Sequence, residues 1–171
     1  MMSINYPRVS IREVLESDID FIAQNIRKAD KQELEALFGV SHEEGLKISI
    51  EGNDELWVAV VDNLPVCIFG ISDRSEEQDE HRTGLVWAIG TNNLFHLKKE
   101  LNAVSKKVIE KWLDEYDILF NYVWEKNVIH HRWLKKMGFI IMENEYMETD
   151  KGDKFYFFVQ YSPYSQEVEE D

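Results

Sequence analysis

Residues 117–147 read DILFNYVW, EKN, VIHHRWLKKM and GFIIMENEYM. An apolar strand-like run leads through an asparagine into a short basic amphipathic segment. A glycine stops that segment, and a second strand-like run follows. This succession constrains the fold more than any other part of the chain, because a helix of about ten residues between two strands requires a sheet for both strands to join. Gly138 permits the left-handed backbone that ends a helix, and Phe139 starts the next strand with its ring in the core. Asn127 stands where a side chain can cap the helix or tie down a splayed strand end.

The rest of the chain extends this unit. VSIREVLESDIDFIAQNIRK reads as a strand then a helix, with Ser17 and Asp20 at capping-box spacing and Ile19, Ile22 and Ile26 at helical spacing. KQELEALFG is a second helical piece that stops at Gly39, and SHEEGLKISIEG continues as a short helix or an irregular segment. Residues 56–61 and 66–72 form a predicted hairpin about the turn residues Asp62-Asn63-Leu64-Pro65. DRSEEQDEHRTG has no apolar anchor and reads as a solvated loop, and GLVWAIGTN is a strand ending at Gly90. From Asn93 the period changes: Leu94, Leu97, Leu101, Val104, Val108 and Trp112 make one apolar stripe of a long helix. KGD is a turn and KFYFFVQYS a last strand, whose Phe155, Tyr156, Phe157 and Phe158 alternate between a core face and a face for a partner.

The order β-α-α-β-β-β-α-β-α-β-β predicts one α/β domain over residues 1–164, followed by an acidic tail over 165–171. Its 171 residues suffice to bury a core, and 12% aromatic content separates the chain from disordered acidic proteins. A net charge of −14 argues against direct nucleic-acid binding. It leaves an acidic DNA mimic as a reading that rests on charge alone. The lone Cys67 allows no internal disulfide and reads as a buried, inert thiol. With no signal-like segment and no apolar run long enough for a membrane span, the expected location is cytoplasmic. His130 and His131 are adjacent and diverge by about 100° on a helix, so no metal site is expected.

This order of elements resembles the GNAT family of N-acetyltransferases. The resemblance is most specific where Asn127 is followed by Gly138 and Phe139, eleven and twelve residues on, and it extends to the N-terminal strand and helix of IREVLESDIDFI. It implies an α/β, three-layer fold with a mixed, mostly antiparallel sheet and helices on both faces. It also implies acetyl-CoA as the cofactor if the chain is an enzyme, with the pyrophosphate on a glycine-rich loop before the long helix. At that place the sequence reads AIGTNNLFHLKKEL: Gly90 is the only glycine and no basic residue precedes Lys98. Gly90, Thr91, Asn92, Asn93 and Asn127 are the candidate cofactor-binding residues, since a helix start attracts an anion through its dipole and amides.

Many GNAT enzymes carry a tyrosine seven residues after the asparagine, to protonate the leaving thiolate. Here that position is Leu134, which has no proton to give. His131 is the nearby substitute. Glu80 and His81, just before the fourth strand, are the candidate bases, although solvated loop residues are usually only that.

FNYVWEKNVIHHRWLKKMGF is also similar to a GNAT-like internal virion or head-morphogenesis family of short-tailed phages of the autographivirus kind. Asn121, Tyr122, Val123, Trp124, Asn127, His131, Arg132, Leu134, Lys135 and Gly138 fit its outline. That resemblance implies a role in virion assembly, other phage virion or assembly proteins as partners, and residence in the host cytoplasm or the virion. Two functions are therefore expected: a GNAT-fold assembly protein with a degenerate acetyl-CoA site, or a working acetyl-CoA-dependent N-acyltransferase on an unknown amine.

Overall fold

A computed structural model describes Ile4 and residues 6–166. Its elements are β1 (Val9–Glu13), α1 (Glu16–Asn25), α2 (Lys28–Phe38), α3 (His42–Ile50), β2 (Glu55–Val61), β3 (Leu64–Asp73) and β4 (Thr83–Gly90). A 3-10 turn (Asn92–Leu97) leads into α4 (Lys98–Glu115). Then follow β5 (Ile118–Trp124), α5 (Val128–Lys136), β6 (Ile140–Glu148), β7 (Lys154–Tyr161) and a short α6 (Pro163–Gln166). The strands join one mixed sheet in the order β1-β2-β3-β4-β5-β7-β6. β4 and β5 pair in parallel, whereas β1–β2, β2–β3, β5–β7 and β6–β7 are antiparallel.

The chain gathers into two compact units. The first holds the described residues up to Ile71 together with Trp87–Ser105. The second holds Ser72–Val86 and the described residues from Lys106 onward. In the first unit Ile22, Leu34 and Leu46 of the N-terminal helices, with Ile26 just past α1, close on Ile68 and Ile89 of β3 and β4. Side chains of this kind contribute roughly 1.5–3 kcal/mol each when fully buried. In the second unit Leu119, Val123, Leu134, Phe139, Phe155, Phe158 and Val159 are buried.

Several boundaries differ from expectation for identifiable reasons. α1 begins at Glu16, and Ser17 and Asp20 stay exposed. The residue that fixes the start is Asp18, which accepts from the Leu15 amide (2.8 Å) and is held by Arg12 of β1 (2.6 and 2.9 Å). The hairpin turn is only Asp62-Asn63, both with positive φ (48° and 66°), the geometry that follows strand twist. Leu64 and Pro65 therefore belong to β3, with Pro65 tolerated beside the bulge at Ala59/Val60. The segment after Ser41 is helical, with the Ser41 hydroxyl accepting from the Glu44 amide. The apolar stripe of the long helix is buried at Leu97, Leu101, Val104, Val108 and Trp112, but the α-helix proper starts at Lys98.

The aromatic run of β7 does not divide by face. Phe155 and Phe158 are buried while Tyr156 and Phe157 are half-buried, so each face holds one of each. Of the tail expected from residue 165, the first two positions finish α6, and residues 167–171 lie outside the described residues. Among the described residues no helix is long and apolar enough to cross a membrane.

Candidate functional site

The residues singled out from sequence fall into three groups. Gly90, Thr91, Asn92 and Asn93 lie together in the first unit, where β4 gives way to the 3-10 turn. Asn127 and His131 lie together in the second unit, at the start of α5. Glu80 and His81 sit in the loop before β4, both exposed.

In the first group the backbone amides are turned inward. The Gly90 N–H donates to Asp30 Oδ2 at 2.9 Å, and the Gly90 carbonyl accepts from the Arg27 amide at 2.9 Å. The Thr91 N–H donates to the Val66 carbonyl at 2.9 Å. Thr91, itself buried, then takes two further amides: its Oγ1 accepts from Asn93 N–H (3.3 Å) and its carbonyl from Leu94 N–H (3.2 Å). Four consecutive-region amides, at residues 90, 91, 93 and 94, thus end on acceptors of this chain.

Asp30 is the residue that sequence reading missed. It lies in the first turn of α2, buried, with its other oxygen 2.8 Å from the Arg27 guanidinium. An acidic residue in a first helical turn is ordinary, so no local signal marks it. A Cβ at Gly90 would stand 1.9 Å from Leu94 Cδ1 and 3.0 Å from Leu94 Cγ, so any side chain there requires the Leu94 side chain to shift. Asp30 also bears on Cys67, which was expected to be buried but keeps some exposed surface. Its thiol is nonetheless pushed up to about 12, first by desolvation and then by the Asp30 carboxylate, so it holds its proton at neutral pH.

The second group explains the spacing from Asn127 to Phe139. The buried Asn127 caps α5, its side-chain oxygen accepting from the His130 amide at 3.3 Å. At the other end the Phe139 N–H reaches the Leu134 carbonyl (3.0 Å) and the Gly138 N–H the Lys135 carbonyl (3.1 Å). This is a Schellman closure around Gly138 at φ 98°. Phe139 then packs edge-on against Phe158, with ring centroids 5.2 Å apart. His131 Nε2–H donates to the Trp124 carbonyl at 2.8 Å, which ties one ring nitrogen to the end of β5. Its ring lies 5.9 Å from that of Tyr156, whose hydroxyl contacts Glu125 at 3.4 Å. Burial, followed by Glu125 and Glu143, raises the Tyr156 pKa above its ordinary value. Leu134 is buried.

In the third group His81 Nδ1 stands 3.8 Å from an Asp117 carboxylate oxygen, and both groups are well exposed. The neighbouring Arg82 does the structural work. It bonds Asp73 and the Glu115 carbonyl, stacks on Tyr116, and its amide donates to Asp117.

The comparisons with known proteins agree with this architecture. No family model matches the chain. Among solved structures, a GNAT-family acetyltransferase from Bacillus anthracis superposes with a TM-score of 0.67 at 14% identity, covering 94% of this chain and 99% of that one. The ribosomal-protein-S5-alanine acetyltransferase from Vibrio fischeri gives 0.65 at 13% identity, covering 95% and 98%. Salmonella typhimurium yncA, solved with its cofactor acetyl-CoA, gives 0.55 at 12% identity, covering 90% and 94%. The chain therefore has the GNAT acetyltransferase fold. In sequence it is similar to the protein named "Probable scaffold protein gp13" of Escherichia phage T7, 33% identical over 61 residues. That match spans 33% of this chain and 44%, less than half, of the phage protein.

Proposed function

We propose that this chain is a GNAT-fold protein of phage assembly, a virion or morphogenesis component, in which the acetyl-CoA site has degenerated. The observation that carries the reading is the inward satisfaction of the amides around the β4 end. A pyrophosphate cradle needs backbone N–H groups aimed at the phosphates. Here the amides of Gly90, Thr91, Asn93 and Leu94 are bonded within the protein, and Asp30 brings a carboxylate to the first of them. Asp30, itself neutralised by Arg27, occupies the Gly90 amide that a phosphate would need. The residues present do not fit a CoA pyrophosphate. Leu134 stands where the fold's enzymes often carry the proton donor, and His131, the nearest substitute, spends one nitrogen on the Trp124 carbonyl. The likeness to a phage scaffold protein supports assembly as the use to which the fold is put. Other virion proteins are then the partners, and host cytoplasm or virion the location.

The second reading is an acetyl-CoA-dependent N-acyltransferase acting on an unknown amine. It draws on the fold shared with yncA, which was solved with acetyl-CoA. Calorimetric titration with acetyl-CoA and with free CoA separates the two. The assembly reading expects no binding up to millimolar ligand. Micromolar affinity would overturn it and put the enzyme first.

A further inference from the structure

β6 ends the strand order and, among the described residues, pairs with β7 alone, yet it is nine residues long and largely exposed. Long exposed edges are normally guarded against pairing with another chain. β6 has two such guards. Its register jumps between Met142, opposite Phe157, and Tyr146, opposite Tyr156, so Glu143, Asn144 and Glu145 bulge out of the ladder. Residues 140–150 also carry four carboxylates (Glu143, Glu145, Glu148, Asp150), and the cation set against them, Lys154, lies opposite Glu148 and over the Tyr146 ring, away from Glu143 and Glu145 in the bulge.

The apolar residues of this edge do not follow from that guarding. Register places Ile140, Met142 and Met147 on the same sheet face as Phe157 and Tyr161. Ile140 is 53% exposed, Tyr161 40% and Met147 36%, and Met142 and Phe157 are half-buried beside them. An edge protected by charge and bulge has no need of a row of exposed aliphatic side chains. Such a patch with a charged rim marks an interaction surface.

The charge decides the occupant. A second copy of this chain meeting β6 edge to edge would set these carboxylates against their own kind, in a protein of net charge −14. A segment carrying Lys or Arg between apolar residues would answer both features. We infer that the β6 edge, with the apolar row Ile140–Met142–Met147 and the carboxylates Glu143 and Glu145, docks a basic, apolar-anchored polypeptide segment of a partner protein. This names the partner chemistry for the assembly reading and rests on that reading only for its biological setting. The acetyl-CoA titration can fail or succeed independently of the peptide experiment.

The test uses the full chain and three synthetic twelve-residue peptides: alternating Lys and Val, alternating Lys and Gly, and alternating Glu and Val. Binding is followed by fluorescence anisotropy at about 0.1 M salt. The Lys-Val peptide is expected to bind, and each of the other two at least tenfold more weakly. Glu143→Gln/Glu145→Gln, which alters only exposed groups, and Ile140→Ser/Met147→Ser should each weaken Lys-Val binding about tenfold or more. Circular dichroism establishes that both variants fold, and the first keeps the test decisive if the second does not. Absence of Lys-Val binding overturns the inference. So does equal binding of the Lys-Gly peptide, or binding untouched by the Glu143/Glu145 variant, since attraction to overall negative charge would then suffice.

Discussion

The Asp30 carboxylate and the Gly90 amide, sixty positions apart in the chain, meet in a buried hydrogen bond of 2.9 Å. Arg27 completes the arrangement from both sides: its amide donates to the Gly90 carbonyl and its guanidinium to the second Asp30 oxygen. The N-cap and first turn of α2 thus close the backbone of the last β4 residue.

Removing the carboxylate should be costly. Asp30→Ala strands a buried amide and a largely buried guanidinium, and breaking one side of a buried pair costs about 3–5 kcal/mol. Asp30→Asn keeps an oxygen for the Gly90 amide and should lose less. Urea unfolding of the two variants gives the difference. Equal losses would mean that the bond to Gly90 contributes nothing.

Gly90→Ala should destabilise by about 1–3 kcal/mol, the usual cost of forcing atoms into a packed site. The clash is with the Leu94 side chain, so adding Leu94→Ala should recover part of the loss caused by the new methyl. A double-mutant cycle by thermal unfolding measures that coupling.

Acid should weaken the fold through carboxylates whose pKa is lowered by folding. Asp18 is held below its ordinary value first by hydrogen bonds from Arg12, against the opposing effect of burial. Asp73 is brought to about 2 by the Ser75 side chain and amide, and then by Arg82. Both are depressed in the folded state, so their stabilisation is present above the unfolded value near 4 and is lost as pH falls through the folded value. For Asp73 that window runs from about 4 to about 2. Asp73→Asn should flatten the pH dependence of unfolding in this interval while leaving its shape above pH 5 unchanged.

Cys67 should resist labelling despite keeping some exposed surface. With its pKa near 12, the thiolate fraction at pH 8 is at least ~100-fold below that of an ordinary cysteine. Reaction with a disulfide reagent at pH 8 should therefore be slow in buffer and fast in urea. Fast labelling in buffer would contradict the raised thiol pKa and the effect of Asp30 on it.

Gly138→Ala should cost about 1–3 kcal/mol, because φ 98° is a conformation that side-chain-bearing residues avoid. A Cβ there would also meet Gln160 Nε2 at 2.9 Å. Gln160→Ala in the same background should relieve the second cost but not the first, which thermal midpoints of the single and double variants can separate.

The sequence by itself determined those elements whose causes are local. The α4 stripe follows from helical period. The unit from Asn127 to Phe139 follows from a cap at one end and a left-handed glycine at the other, all within thirteen residues. Both were legible because periodicity and capping bonds involve neighbours in the chain. Tertiary structure alone decided the rest. Ser17 and Asp20 had the right spacing for a cap, yet Asp18 fixes α1 because Arg12 reaches it from another element. Gly90 to Asn93 offered amides at a helix start, and whether those amides face outward depended on Asp30, Val66 and Thr91. The bulge of β6 depended on the residues that β7 set opposite it. Asp30, Val66 and β7 reach these sites from distant parts of the chain, and Arg12 and Thr91, though near in sequence, act from neighbouring elements; a backbone amide bonds whichever acceptor the folded chain brings to it.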